Sequence, residues 1–286
     1  MTLQGFWRSA QDPQRIMQVE INSWHDQEQK QRSDLLTTEE PFEVRIAGRS
    51  LAVIMRTPGN DAELALGFLF TESIIQSAQD IVQIEDALDE DGLPLANVIN
   101  VVLHEELQQG NSQVQAAAFE RHFAVSASCG LCGKNSIADL MCSTPPLQPD
   151  TLHISAGTLY ELSERLHAEQ AVFSHTGGLH AAGLFTLDGE LILLREDVGR
   201  HNAVDKIIGY GLLHDMYPYD NHILLVSGRT SFEIIQKALR ARIPCVASIS
   251  APSSLAVELA ASSGITLIGF LRGHAMNVYT HPERIV

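Results

Sequence analysis

The sequence has few of the features that mark secreted, membrane-spanning or nucleic-acid-binding proteins. It contains only 4 cysteines in 286 residues, too few for a disulfide scaffold, so a close cysteine pair indicates a metal site or a reactive thiol. It has no apolar run of about 18 residues, which predicts no membrane span, and no export signal at its start. The 19 basic residues against 35 acidic ones give a net charge of −16, which argues against nucleic-acid binding through a basic surface. We therefore expect a cytoplasmic protein.

The composition is that of a globular protein, with 45% apolar and 19% charged residues. Residues 1–38 are polar and rich in glutamine, which predicts a loosely ordered arm with one strand near Val19. Residues 39–148 carry strand patterns and one helix pattern, and we expect them to form a smaller α+β domain containing the C-x-x-C loop. The proline-rich stretch "STPPLQPD", residues 143–150, predicts the boundary to a second domain over residues 149–286.

The second half alternates strand and helix patterns. "HILLVSG", "PCVASIS" and "ITLIGFLR" are apolar strands separated by the helices "SFEIIQKALRAR" and "SSLAVELAASSG". Short connections of this kind require parallel pairing and right-handed crossovers, and apolar strands indicate a sheet covered on both faces. The pattern predicts a three-layer α/β/α domain with a mixed sheet, and a ligand site at the carboxyl ends of the strands. Cys245 lies inside one apolar strand and should be buried.

The segment "SASCGLCGKNS" holds Cys129 and Cys132 two residues apart. A structural zinc site needs four ligands, usually from two paired clusters, and the chain has one C-x-x-C only. A zinc deaminase places H-x-E before P-C-x-x-C. Here His167 and Glu169 come after the cysteines, and Ser128 stands in the place of the proline. Both zinc interpretations are therefore disfavoured.

Two other interpretations of the cysteine pair remain open on local chemistry alone, a redox couple and a sulfur carrier. Gly130 and Gly133 allow backbone N–H groups to turn toward a thiolate, and Lys134 adds a positive charge. A sulfur-carrying thiolate must be accessible and have a lowered pKa, and a redox cysteine has the same needs.

Six blocks in order along the chain resemble the formate dehydrogenase accessory sulfurtransferase family, the FdhD proteins. The blocks are "ELALGFLFTESII", "SCGLCGK", "TGGLHAAGLF", "EDVGRHNAVDKIIG", "LLVSGRTSFEIIQKA" and "IGFLRGHAMNVYTHPERI". The resemblance implies a protein that accepts persulfide sulfur from a cysteine desulfurase. It then passes the sulfur to the molybdenum cofactor, a bis(molybdopterin guanine dinucleotide), before insertion into formate dehydrogenase. It also implies a homodimer whose larger domain is cytidine deaminase-like without the deaminase zinc.

The resemblance also implies roles for individual residues. Cys129 matches the persulfide-bearing cysteine, and Cys132 matches its supporting or relay partner. The cofactor-binding segment of the family falls on Phe270, Leu271, Arg272, Gly273, His274 and Ala275.

Two further positions are expected to contact the dinucleotide on physical grounds. Arg229 lies at a strand end that opens a helix, and His201 lies at another helix start; N–H groups and the helix dipole favour phosphate at such places. Lys206 is a weaker candidate, and no bound metal is expected. The competing function is a non-enzymatic chaperone that binds the molybdenum cofactor and hands it over, with a structural or metal-binding C-x-x-C.

Overall fold

The computed structural model of the protein describes residues 15–104, 144–148 and 152–286. These residues form a mixed α/β fold with three separate sheets, as the sequence predicted. The strands are β1 Ile16–His25, β2 Glu28–Thr37, β3 Glu40–Ile46, β4 Arg49–Arg56, β5 Ile81–Leu88, β6 Pro94–Leu103, β7 His180–Thr186, β8 Leu191–Asp197, β9 His222–Val226, β10 Cys245–Ser248, β11 Thr266–Arg272 and β12 Ala275–Val278. The helices are α1 Asp61–Thr71, α2 Ala156–Glu169, α3 Phe173–Thr176, α4 Arg200–Leu213, α5 Phe232–Arg240 and α6 Ser254–Ser263, with 3₁₀ turns at Ala78–Asp80 and Pro282–Arg284.

The largest sheet has six strands in the order β12-β11-β10-β9-β7-β8. Strands β9, β10 and β11 are parallel, and the remaining pairs are antiparallel, so the predicted mixed sheet is present. Successive strand residues point to opposite faces, and each face has its own core. Leu224 and Val246 pack on the face covered by α4, α5 and α6, while Ile223 and Cys245 pack on the face covered by α2.

The four-stranded sheet, in the order β4-β3-β6-β5, packs on α1, and α1 packs directly on α4. A Cβ added at Gly67 would lie 1.9 Å from the Asp205 carbonyl oxygen, and one at Gly209 would lie 1.8 Å from the Glu63 carbonyl oxygen. Glycine on both helices therefore lets the two backbones touch. One continuous apolar core spans residues from both halves of the chain, and the division into domains near residues 143–150 stays a prediction.

Residues 16–37 form an antiparallel hairpin of two ten-residue strands. The sequence predicted a loosely ordered arm with one strand near Val19. That strand is present as β1, whereas its pairing partner β2 was not predicted. Asp26 and Gln27 adopt positive φ values of 45° and 74° and make a two-residue turn. β2 was missed because its sequence, "EQKQRSDLLT", is polar over most of its length and lacks the β-branched residues that indicate a strand.

Candidate functional site

The predicted sulfur-bearing residue Cys129 and its predicted supporting or relay partner Cys132 lie outside the described residues. Cys245, by contrast, is fully buried in β10, as predicted, and burial raises the pKa of its thiol to about 12. A thiol that is protonated and inaccessible is a poor nucleophile. Cys245 is therefore suited to be the unreactive control in experiments on the other cysteines.

The parallel strands β9, β10 and β11 bring their carboxyl ends to one edge of the large sheet. The segment 249–252, which follows β10, holds the neighbouring segments together at this edge. Thr230 N–H donates to the Ala251 carbonyl at 3.2 Å, and Phe270 N–H donates to the Ser250 carbonyl at 3.1 Å. The structure thus places the Arg229 loop and the segment from Phe270 to Ala275 on the same edge, as the sequence predicted from strand topology.

Four cationic or potentially cationic side chains converge beside this edge. His180 begins β7, Arg200 and His201 begin α4, and Arg229 follows β9. A Cβ added at Gly228 would lie 3.2 Å from His180 Nδ1 and 3.7 Å from Arg200 Cδ, so the absent side chain of Gly228 lets these groups come together. Burial, followed by the charge of Arg200, lowers the pKa of His180. The edge is therefore electropositive through its arginines, although the chain as a whole is acidic.

His201 is held in a neutral state within this cluster. Its Nε2 lies 3.2 Å from Ser231 Oγ and 3.9 Å from Glu233 Oε2. Burial, followed by the charge of Lys237, lowers the pKa of His201 to about 3. Because the serine and the glutamate approach the same ring nitrogen, the three residues do not form a Ser-His-acid relay, in which they would use opposite nitrogens. His201 is suited to hydrogen bonding rather than to charge neutralisation.

Two buried polar atoms at this edge have no hydrogen-bond partner within the described part of the chain. They are Thr230 Oγ1, on a fully buried residue, and Arg200 Nε. Buried polar groups in proteins are nearly always paired, and an unpaired one calls for an explanation such as a ligand or ordered water. Next to Thr230, α5 begins after Ser231, whose side chain makes no capping hydrogen bond to the helix. The first-turn N–H groups of α5 are therefore available to an anion.

The segment from Phe270 to Ala275 has an unusual backbone. Phe270 has a φ of +55° and a β-bulge lies between Gly269 and Arg272. A positive φ is uncommon for a large aromatic residue, and such strain concentrates at functional sites. The Phe270 ring remains 41% exposed. The bulge thus directs an aromatic surface outward at the carboxyl end of β11.

The other members of this segment differ in what they can contribute. Arg272 is exposed, and its Nε donates to the Ile249 carbonyl at 3.1 Å. The His274 ring packs edge-to-face on Tyr160 of α2, with centroids 5.5 Å apart, and Gly273 allows the turn through its φ of +50°. Leu271 is fully buried in the core, so only its backbone can reach a ligand. Ala275 is exposed at the start of β12.

Lys206, the weakest of the sequence candidates, has a structural role. Its side chain is completely buried, and Nζ lies 2.7 Å from Asp197 Oδ2 and 3.0 Å from the Thr57 carbonyl. Asp197 Oδ1 also accepts from Gly199 N–H at 2.8 Å at the start of α4. Thr230 belongs to the same strand end as Arg229 that the sequence indicated, but its orphaned hydroxyl has no signature in an amino-acid pattern. The sequence missed Tyr160, whose partner His274 is distant along the chain.

No cluster of three or more His, Cys, Asp or Glu side chains suited to a metal ion occurs among residues 15–104, 144–148 and 152–286. None of the helices in these ranges is long and apolar enough to cross a membrane.

Fold and site together define a mixed α/β protein that gathers arginine and histidine side chains at the carboxyl edge of its large sheet, and whose sequence also holds a C-x-x-C segment. The sequence model of the FdhD/NarQ family matches residues 37–286, and the chain belongs to that family. A sulfur carrier protein FdhD of Nocardia farcinica is 46% identical over 257 residues, 89% of each chain. The one of Sulfolobus acidocaldarius is 42% identical over 271 residues, covering 95% of this chain and 99% of its own. A crystal structure from Desulfotalea psychrophila, of a protein assigned as a formate dehydrogenase accessory protein, shares the fold with a TM-score of 0.72 at 24% identity, covering 95% of this chain and 99% of that one.

Proposed function

We propose that this chain is a sulfur carrier for formate dehydrogenase, with Cys129 as the residue that bears the sulfur. The observation that supports this most is the similarity, 46% identity over 89% of the chain, to a protein named sulfur carrier protein FdhD. Cys129 stands in the "SCGLCGK" block by which the sequence resembles the family, whereas the buried Cys245 is chemically unsuited to the role. The protein would act in the cytoplasm as a homodimer with a cytidine deaminase-like larger domain.

In the proposed first step the Cys129 thiolate attacks the outer sulfur of a persulfide on a cysteine desulfurase. The sulfur–sulfur bond of the donor breaks, its electron pair leaves on the donor cysteine, and Cys129 becomes a persulfide. In the second step the outer sulfur passes to the metal of the molybdenum cofactor. The electron pair of the broken bond stays on Cys129 as a thiolate. The metal, in its reduced state, supplies both electrons of the new metal–sulfur bond and is itself oxidised by two electrons, and the proton of the outer sulfur is released to solvent. Cys132 would support or relay this transfer.

The substrate of the second step, a bis(molybdopterin guanine dinucleotide), fits the chemistry of the carboxyl edge. Its phosphates would lie against Arg229, Arg200 and the first turn of α5, where bidentate guanidinium groups and helix N–H groups favour such anions. A phosphate oxygen or a ring donor would also satisfy the orphaned hydroxyl of Thr230. The flat rings of the cofactor would stack on the exposed face of Phe270.

The experiment that tests this function is activation of formate dehydrogenase in cells that lack their own carrier. Cys129→Ala should abolish activation, and Cys245→Ala, which removes only a buried thiol, should retain it. Full activation by the Cys129→Ala variant would overturn the sulfur-carrying role of this residue. The accumulation and folding of each variant are measured in parallel, so that a loss of activity is not mistaken for a loss of protein.

The second candidate function is a cofactor chaperone without sulfur transfer. It is favoured by one observation, that the electropositive edge is built from described residues far from the cysteines in sequence. If the chaperone function alone operates, Cys129→Ala binds the guanine nucleotide and still activates the enzyme. If sulfur transfer operates, Cys129→Ala binds the nucleotide but does not activate.

A further inference from the structure

Within the described residues, the hydrogen bonds that join the hairpin of β1 and β2 to the rest of the protein lie near its base. Arg15 Nη2, just before β1, donates to the Glu196 carbonyl at 3.3 Å, and the Thr37 and Thr176 hydroxyls lie 2.8 Å apart. Beyond this base most side chains of both strands are exposed. Ten residues per strand correspond to a ribbon about 30 Å long. The hairpin is therefore a projecting arm.

One side of β1 carries an apolar stripe, whereas β2 places Asp34 and Arg32 opposite Val19 and Ile21 on that same side. Met17, Val19 and Ile21 alternate along β1 and so point to the same side, and Leu36 lies directly opposite Met17 on β2. Met17 is 55% exposed and Leu36 is 47% exposed. A two-stranded hairpin is marginally stable alone in water, whereas three or more strands with a hydrophobic face are stable. The two-stranded arm is therefore stabilised when further strands join it beside this stripe.

The two edges of the arm differ in charge. Among the described strands, the sheet that forms the arm contains only β1 and β2. β2 carries Lys30 and Arg32, and charged side chains of this kind protect an edge from pairing. Pairing of β2 with a second β2 around Gln31 would also set Lys30 opposite Arg32. β1 has no lysine or arginine between Ile16 and His25.

From these observations we propose that β1 pairs with β1 of a second copy of this chain, antiparallel, around a two-fold axis at Val19. In this register Val19 faces Val19 of the second copy, Met17 faces Ile21, and Gln18 faces Glu20, to which its amide can donate. The two arms become one sheet in the order β2-β1-β1-β2. The apolar stripes of both copies meet on the two central strands, and a sheet of four strands replaces two ribbons of two strands, each only marginally stable alone.

The backbone of β1 fits this register. Counted from the two-residue turn after His25, antiparallel alternation directs the N–H and C=O groups of Gln18 and Glu20 to the free edge and those of Val19 toward Asp34. Gln18 and Glu20 of opposite copies therefore form hydrogen-bonded pairs, and Val19 sits at a non-hydrogen-bonded pair. Strand backbones are closest at such a pair, with Cα atoms about 4.5 Å apart.

Neighbouring two-fold registers are less favourable. An axis at Glu20 sets two carboxylates directly opposite each other, which is destabilising. An axis at Gln18 leaves Ile21 opposite Arg15, and an axis at Ile21 leaves Val19 opposite Ser23. Only the axis at Val19 gives every member of the apolar stripe an apolar partner. Register is strongly specified where one face of a sheet is buried.

This inference rests on the homodimer included in the proposed function and is independent of sulfur transfer. The first test is a Val19→Cys substitution in the full-length protein, oxidised mildly and mapped by mass spectrometry of its peptides. A disulfide joining two copies of the peptide that contains residue 19 is expected, since the Cα separation at the axis lies within the range for a disulfide. Ile21→Cys is the matched control, because the two copies of residue 21 would lie about 13 Å apart.

The second test is the molar mass in solution, measured by light scattering at micromolar concentration. The wild type and Gln31→Lys, altered on the opposite edge, should be dimers, and Val19→Lys should be a monomer because it sets two ammonium groups together at the axis. A wild-type dimer with no Val19→Cys disulfide overturns this interface and leaves the homodimer standing. A monomeric wild type overturns both. Neither result bears on sulfur transfer, which activation of formate dehydrogenase tests separately.

Discussion

Lys206 Nζ lies 2.7 Å from Asp197 Oδ2, and both side chains are completely buried. Burial lowers the pKa of Lys206, while Asp197 acts in the opposite direction and favours the charged amine. The same lysine donates to the Thr57 carbonyl, and Asp197 accepts from Thr57 N–H at 3.2 Å. The ion pair therefore joins the end of β4 to the loop that begins α4, and it fixes the helix start that carries Arg200 and His201.

Lys206→Met should strongly destabilise the fold. The substitution leaves the Asp197 carboxylate buried without its cation, and breaking a buried pair in this way costs roughly 3–5 kcal/mol. The free energy of unfolding from urea titrations measures the effect. Lys30→Met is the control, because Lys30 and Glu28 are about three-quarters exposed at 3.6 Å separation, and it should have almost no effect. Equal stability of the two variants would refute the role given to the buried pair.

Gly209→Ala should also destabilise the protein, through backbone crowding. The added Cβ would lie 1.8 Å from the Glu63 carbonyl oxygen, so α1 and α4 must move apart. Overpacking of this kind costs about 1–3 kcal/mol or more. Gly157→Ala, on the exposed face of α2 with its nearest neighbour atom at 3.4 Å, should instead be neutral or stabilising. Thermal unfolding of both variants checks the prediction, and a Gly209→Ala variant as stable as wild type would contradict the close helix contact.

His201 should make stability fall as the pH is lowered. Its folded-state pKa of about 3 lies below the ordinary value, so between these values the unfolded chain binds a proton that the folded chain does not. The contribution of His201 to the free energy of unfolding is fully present above about pH 6.5 and is lost as the pH falls. The loss reaches about 1 kcal/mol at pH 5.5. The pKa values of His180 and His222 are also lowered. The measurement must therefore compare proteins that differ only at His201.

The measurement is the loss of unfolding free energy between about pH 7.5 and about pH 5.5 for wild type and His201→Gln. The variant should lose less than the wild type, by the contribution of one histidine. His25→Gln is the control, since its side chain is 91% exposed, and it should follow the wild type. Identical pH dependence of wild type and His201→Gln would show that His201 is not held neutral.

Arg229→Ala should weaken binding of guanosine diphosphate, the probe for one half of the proposed dinucleotide. Loss of one charge-assisted contact to phosphate should raise the Kd about 10-fold or more, as measured by calorimetry. Arg32→Ala removes the same charge from the projecting arm, remote in sequence from the site, and should leave the Kd unchanged. An equal effect of the two substitutions would indicate a general charge effect rather than a phosphate site at this edge.

Much of the second half of the chain was predictable because its signals are local. The apolar runs around Leu224 and Val246 define strands, and strand order then places their carboxyl ends at one edge of the sheet. Cys245 was correctly predicted as buried for the same reason. These elements need no knowledge of distant contacts.

Other features depend on contacts that an amino-acid pattern does not contain. Lys206 is a basic residue near a helix start, which is typical of a ligand contact. Only the fold shows that Asp197 and Thr57 surround it. Phe270 gives no sign in the sequence of its positive φ, which arises from the bulge in β11. The β2 strand was missed because its sequence lacks the apolar pattern that would have indicated a strand. It is a strand because it pairs with β1.

The most direct test of the central claim is the mass of the intact protein after incubation with a cysteine desulfurase and cysteine. The account predicts a gain of about 32 Da, one sulfur atom, that peptide mapping assigns to Cys129, that is absent in Cys129→Ala, and that persists in Cys245→Ala. A sulfur gain that survives in Cys129→Ala, or no gain in the wild type alongside one tightly bound zinc, would contradict the proposal that Cys129 carries sulfur.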